Sequence, residues 1–231
     1  MRMRMRLIAV ILLIAAVLTG CSGPATGGGP QNAPRGDVTR LDGVQIREYK
    51  GEKLGSVDDF RENSIKGPQQ VDRETYRLRV KGLVNAPRDY TYSQITSGHA
   101  AYEKVVQLDC VEGWSVKVLW QGILVSDLIK EVGAKGSANT VIFRAADGYS
   151  TSLPLSYIED NAILLAYRMN GVTLPAERGF PLQLVAEDKW GYKWAKWITE
   201  IELSDDPAYR GYWESRGYSN SGDRDKSSRG D

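Results

Sequence analysis

Histidine and cysteine are nearly missing from this chain: one histidine, His99, and two cysteines, Cys21 and Cys110, among 231 residues. Zinc and iron–sulfur sites need three or four nitrogen or sulfur ligands, so a conventional site of either kind is excluded. No Gly-x-Ser-x-Gly elbow occurs, and no glycine-rich phosphate loop follows a strand-like run, which removes two common nucleophile and dinucleotide signatures. Charge of one sign is also missing. With 30 basic and 29 acidic side chains, the chain has no electrostatic footprint for nucleic acid. No alternating strand–helix series is present, which argues against a doubly wound sheet.

What is there begins at the N-terminus. Arg2, Arg4 and Arg6 precede an almost continuous apolar run from Leu7 to Leu18, and Leu18-Thr19-Gly20-Cys21 follows. This order of charge, apolar run and small residues is that of a lipoprotein signal peptide over residues 1–20. The run is shorter than the roughly 20 residues that span a bilayer. Cys21 is the expected lipid attachment site, which implies an exported chain anchored by its lipid to a bacterial membrane. Loss of the three leader arginines changes the formal charge from +1 to −2. Residues 21–43 are rich in Gly and Pro and read as a flexible tether. Residues 44–223 are long enough for one domain with a real core, and 224–231 read as a disordered tail.

The domain reads as α+β, mostly short mixed strands with few helices. Tyr76 to Val84 alternates apolar and polar residues, as a half-buried strand does. Val105 to Val111, Thr140 to Arg144, Leu182 to Val185 and Trp197 to Leu203 are further strand-like runs. Leu124 to Val132 has helical spacing, with Val125, Leu128 and Ile129 on one face.

With Cys21 committed to lipid, Cys110 is a lone thiol in an exported protein. It is either buried and inert or held by a ligand such as a soft metal. It ends a strand-like run, Gly113 permits a tight turn, and Trp114 supplies an apolar wall. Any metal bound there must bring its other ligands with it. His99 lies in a polar Thr-Ser-Gly-His turn and is expected to face solvent. The Lys189 to Trp197 run, with alternating lysines and aromatics around Gly191, reads either as a solvated edge strand or as an anion cradle completed by Arg178. Arg144, Arg178 and Lys193 are candidates for attracting an anionic substrate, and Tyr149 and Tyr192 for donating a proton.

The ordered set of motifs resembles the sulfite-oxidase-type molybdopterin oxidoreductases. Its nearest branch is bacterial, haem-free and similar to the catalytic subunit of periplasmic protein-methionine-sulfoxide reductase. The resemblance runs over about residues 60–223. Asn63 to Pro68 precedes the first strand, and Cys110 to Ser115 reads Cys-Val-Glu-Gly-Trp-Ser. Trp120-Gln121-Gly122 resembles the family's tryptophan–x–glycine step into a helix. Leu174-Pro175, Gly179 to Leu182, Lys189 to Lys193, Lys196 to Ile198, Gly211 to Glu214 and Gly217-Tyr218 follow in order.

The resemblance implies a molybdenum–molybdopterin cofactor with Cys110 as metal ligand and catalytic centre. Asn63 would lie near the pterin. Arg178, Lys193, Trp194, Ala195 and Lys196 would hold the cofactor, the last three at its phosphate end. It further implies two-electron oxygen-atom transfer on a small oxyanion or sulfoxide. Electrons would come from a separate partner, with a membrane protein near the anchor as the expectation. Two departures stand out. Arg178 and Gln183 occupy positions where that branch has an asparagine and an arginine, and the leader has no twin-arginine pair. The alternative these departures leave open is a cofactor-free binding or scaffold lipoprotein that retains the fold.

Cys21→Ala is expected to abolish incorporation of labelled fatty acid into the chain in its native host. Unchanged labelling of that variant would remove Cys21 as the attachment site.

Overall fold

The computed structural model describes residues 43–230. The expected signal peptide, Cys21 and nearly all of the tether lie outside the described residues. A short hairpin opens the domain, β1 (Glu48–Tyr49) and β2 (Glu52–Lys53). There follow β3 (Arg77–Gly82), β4 (Arg88–Thr91), α1 (Tyr92–Gly98), β5 (Tyr102–Asp109), β6 (Ser115–Leu124) and α2 (Val125–Val132). The chain continues through β7 (Thr140–Ala145), β8 (Ser150–Pro154), α3 (Leu155–Asp160), β9 (Leu164–Met169), β10 (Val172–Thr173), β11 (Gln183–Val185) and β12 (Ile198–Ser204). The mixed, strand-dominated architecture expected from the sequence is the one observed. Among the described residues no helix is long and apolar enough to cross a membrane.

The elements form two five-stranded sheets. One runs β10-β9-β6-β5, with β11 also paired to β9, and is antiparallel at every step. The other runs β4-β3-β12-β7-β8, in which β3 and β12 are parallel. Both contribute to one apolar core. In β3 the period of two works as expected: Leu78 and Val80 are fully buried while Arg77 and Arg79 are exposed. In α2, Val125, Leu128, Ile129 and Val132 all point inward.

The stretch Trp120 to Leu124, taken from the sequence as a step into a helix, is instead the second half of the ten-residue β6, and the helix begins at Val125. Leu119 and Trp120 are both fully buried, so this strand is covered on both faces and does not alternate. Gly122 lets β9 cross closely. A Cβ there would lie 2.2 Å from the Leu165 carbonyl oxygen and 2.6 Å from the Ala166 Cα. The β6–β9 register shifts at this point, between Gln121 and Gly122.

Two local expectations are corrected. His99 does not face solvent. Its side chain is 14% exposed, with Nε2 3.0 Å from Glu131 Oε2 and Nδ1 2.9 Å from the Gln94 carbonyl. It sits just past α1, a helix begun by the reciprocal Thr91–Gln94 capping box. Residues 224–230, expected to be disordered, fold back onto the domain. Arg224 Nη1 lies 2.9 Å from Asp109 Oδ2, and the Arg224 N–H donates to the Asp188 carbonyl at 2.9 Å. Trp190 Nε1 donates to the Lys226 carbonyl at 3.1 Å. The charges that made this tail look soluble find complementary partners on the domain, so ordering it gains ion pairs as well as backbone hydrogen bonds.

Gly122→Ala is expected to destabilise the domain by about 3 kcal/mol or more, because the obstacle is backbone and cannot rotate away. Thermal unfolding checks this; an unchanged midpoint would mean the strands can separate at that crossing.

Candidate active site

Strand β5 delivers Cys110 to the closed end of the β5–β6 hairpin, whose eight residue pairs run from Tyr102↔Gly122 to Asp109↔Ser115. The loop between them is tight. The Cys110 N–H donates to the Trp114 carbonyl at 2.9 Å, and the Gly113 N–H donates to the Cys110 carbonyl at 3.0 Å. Gly113 has φ of +83°, in the left-handed region that favours glycine. Cys110 is 8% exposed and forms no disulfide. Burial pushes its thiol pKa up, and the Glu112 carboxylate adds to this. The backbone N–H groups of Glu112 and Val111 and the Arg61 guanidinium oppose it.

The thiol opens into a cavity of ≈ 220 Å³. Phe60, Trp114 and Trp194 supply apolar wall, with Phe60 and Trp114 packed edge to face at 6.1 Å. Opposite Cys110 lies the segment around Gly191. A Cβ at Gly191 would stand 3.3 Å from the Asp109 carbonyl and 3.5 Å from the Cys110 Cα, so a larger residue would fill the space in front of the cysteine. Asn63 is fixed to the same rim. Its Nδ2 donates to Glu112 Oε1 at 2.9 Å, while Trp114 Nε1 donates to Glu112 Oε2 at 3.1 Å.

Two cations, Arg178 and Lys196, meet in the same lining. Gly179, at φ +98°, brings the turn carrying Arg178 against Gln183 and Lys196. A Cβ on it would lie 3.0 Å from Lys196 Cβ and 3.2 Å from Gln183 Cβ. Lys196 Nζ is 2.9 Å from Glu62 Oε1. Burial lowers the Lys196 pKa, and Glu62 holds it back. Burial likewise lowers that of Arg178, against the pull of Glu62, Glu177 and Asp58. A buried soft thiol, apolar walls and two cations in one lining form a donor set suited to a metal carried by an organic phosphate. The room in front of Cys110 is preserved by glycine.

The profile of the oxidoreductase molybdopterin binding domain matches residues 65–213. The chain belongs to that family. As a molybdopterin-binding oxidoreductase it is similar to an uncharacterized oxidoreductase, YuiH, of Bacillus subtilis, at 35% identity over 68% of this chain and 78% of the relative. It is also 35% identical to a putative protein-methionine-sulfoxide reductase subunit, YedZ1, of Azospira oryzae, over 65% of this chain and 56% of that one. A protein-methionine-sulfoxide reductase catalytic subunit, MsrP, of Ralstonia nicotianae is 30% identical over 56% of this chain and 44% of its own length. The chain thus spans most of the first relative and about half of the other two. Among solved structures, the sulfane dehydrogenase SoxCD of Paracoccus pantotrophus shares the fold. The TM-score is 0.58 at 23% identity, covering 61% of this chain and 41% of that one.

Of the residues expected to bind molybdopterin, Asn63, Cys110, Arg178, Trp194, Ala195 and Lys196 all line the cavity. Lys193 does not. Its ammonium is fully buried, 2.7 Å from Glu214 Oε1 and 2.9 Å from the Asn220 carbonyl. Thr151 Oγ1 donates to the same Glu214 oxygen at 2.5 Å. The run is not an edge strand, since Trp194 and Trp197 are core residues, and of its lysines Lys196 alone lines the cavity, Lys189 being paired with Asp223. Arg144 is engaged by Glu200 and Glu202 away from the cavity. The Tyr149 hydroxyl donates to the Tyr192 carbonyl and that of Tyr192 to the Ser219 carbonyl, so neither phenol is placed as a proton donor.

The sequence reading missed Arg61, Asp147, Trp213 and Tyr218 as lining residues. Asp147-Gly148 between two strand-like runs is a hairpin signal that would have flagged the first of the two turn residues. Trp213 and Tyr218 entered the sequence reading as parts of the tail motif, with no lining role attached to them.

Lys193→Met is expected to cost about 3–5 kcal/mol by stranding the buried Glu214 carboxylate, and Lys193→Met with Glu214→Leu to recover most of that loss. Chemical denaturation of both variants checks this; additive losses would show that the two side chains are not coupled.

Proposed function

We propose that this oxidoreductase is exported and anchored by lipid at Cys21 to a bacterial membrane, at the cell surface or on the periplasmic face. There it carries molybdenum on its molybdopterin and performs two-electron oxygen-atom transfer on a small oxyanion or sulfoxide. The observation that carries the reading is the placement of Cys110: a thiol at a rigid hairpin end, lining a cavity together with aromatic side chains and the cations Arg178 and Lys196. The relatives named for methionine-sulfoxide reduction support the sulfoxide arm.

The cofactor, when bound, would supply the redox change and the oxygen transfer, and Cys110 would meet its metal as the thiolate. This chain's residues do the rest. Cys110 would be the protein's metal ligand, its soft sulfur matching a metal already held by sulfur. The Val111 and Glu112 amides and Arg61 stabilise negative charge at that sulfur. Gly191 leaves room for the reacting group. Trp194, Ala195, Lys196 and Arg178 would hold the pterin and its phosphate, and Asn63, tied to Glu112, would orient the near edge. Gln183, 4% exposed on the same wall, can donate a neutral hydrogen bond but cannot supply the bidentate charged contact of a guanidinium. Arg178 supplies the positive charge instead. Arg61 and Arg178 together favour an anionic or strongly dipolar substrate. The modest cavity admits a small molecule or a single projecting side chain. Electrons come from a separate partner, a reading supported by the two relatives whose names designate them as subunits.

Protein purified from its native membrane should contain about one molybdenum per chain by elemental analysis. Cys110→Ser should lose the metal and the reductase activity while keeping its folding stability within about 1 kcal/mol of the parent. Full metal content in the serine variant, or native protein without metal, would overturn the assignment of Cys110.

A further inference from the structure

Among the described residues the large apolar side chains left exposed are three: Val44 at 47%, Ile46 at 37% and Tyr102 at 40%. Val44 and Ile46 lie two residues apart where the described chain begins. Ile46 is pinned there by its N–H, which donates to the Asn170 carbonyl at 2.8 Å, and its side chain packs on Gly171. The Gly171 carbonyl accepts from Arg168. Arg168 lines a groove with Arg73, Tyr92, Tyr167 and Tyr102.

The groove is electrostatically unfinished. Neither Arg73 nor Arg168 forms an ion pair within the described residues; Arg73 lies over the Tyr92 ring at 4.8 Å. The one carboxylate lining the groove, Glu103, is already engaged by neutral donors, Tyr49 and Gln121. Two guanidiniums that form no ion pair among the described residues, against the single carboxylate of Glu103, therefore leave the groove with an excess of positive charge beside exposed apolar and phenolic side chains. This is also where the chain enters the described domain, at Gly43 to Ile46. The 42 residues before it hold the apolar leader and Cys21.

We infer that this face rests on the anionic headgroups of the membrane to which the chain is tethered. The inference rests on the lipid-anchor reading above. Val44 and Ile46 enter the interfacial region, Tyr102 lies at headgroup level, and Arg73 and Arg168 take lipid phosphates. An acidic soluble protein fits the guanidiniums but not the exposed aliphatic pair beside the tether. The consequence for the active site is geometric. Tyr102 and Cys110 stand at opposite ends of β5, about 25 Å apart at strand rise. Docking by this face holds the molybdopterin cavity clear of the bilayer, open to soluble substrates and partners.

The test uses the full chain in vesicles, carrying an environment-sensitive fluorophore on Val44→Cys, with Asp206→Cys in the exposed loop after β12 as the reference. In phosphatidylglycerol vesicles the probe at 44 should shift to the blue and the probe at 206 should not. In phosphatidylcholine vesicles the shift should be much smaller. Arg73→Gln with Arg168→Gln should weaken the anionic-lipid response by about tenfold or more, with cofactor content unchanged. A probe at 44 that reports water in every vesicle would overturn the inference. So would a shift indifferent to lipid charge, or one suppressed by an acidic protein and absent with lipid. Mass spectrometry of the same sample reads the acyl group directly, so failure of the anchor is seen separately. A chain without the acyl group should still show the arginine-dependent response to anionic vesicles, and its absence would overturn the face itself.

Discussion

Everything at the site depends on the β5–β6 ladder holding Cys110 still. A metal-binding thiol on a long loop would have to be ordered at the moment of binding. Here the cost is met during folding, by eight paired residues and a one-glycine turn that closes on Trp114. The segment carrying Gly191 is then laid against the same strand end through the Asp109↔Trp190 bridge. The two halves of the cavity are therefore referenced to one strand, and the distance from thiol to cofactor wall is set by backbone packing rather than by flexible side chains.

A second layer of support lies outside the family range. Residues after 213 contribute Glu214, which takes the buried Lys193, and Tyr218, which lines the cavity. Asp223 pairs with Lys189, and Arg224 reaches Asp109, next to the cysteine. The Asp223 carboxyl is held at about 2: burial pushes it up, but Lys189 and Lys226 together outweigh that. Lys189 and Lys193 thus fasten this loop through Asp223 and Glu214, while Lys196, paired with Glu62, lines the cavity.

What could be read from the sequence follows from where burial is one-sided. Strands β3, β7 and β12 and helix α2 were legible because their apolar residues recur at the period of the element or form a short β-branched run. The second half of β6 was misread and β9 passed unnoticed, because both are covered on two faces and lose their period. Cys110 and its turn were legible because the turn needs glycine and the thiol had no second cysteine to pair with. Lys193 was misplaced because a lysine among tryptophans reads as surface, and nothing in the tail motif 21 residues on marks Glu214 as its buried partner. His99 was misjudged for the same reason: Glu131, 32 residues on, covers it.

The parallel pairing of β3 with β12 has a consequence for the order in which the protein comes into being. Register partners such as Arg79 and Glu200 are separated by most of the domain, so the sheet containing β3 cannot close until nearly the whole chain has been synthesised. The strand bearing Cys110 can pair early with its neighbour in sequence. The wall around Gly191 and the closing residues Glu214 and Tyr218 come last. The thiol is therefore presented before the cavity is shut, and a cofactor reaching the half-built chain would meet an open cleft rather than a finished pocket.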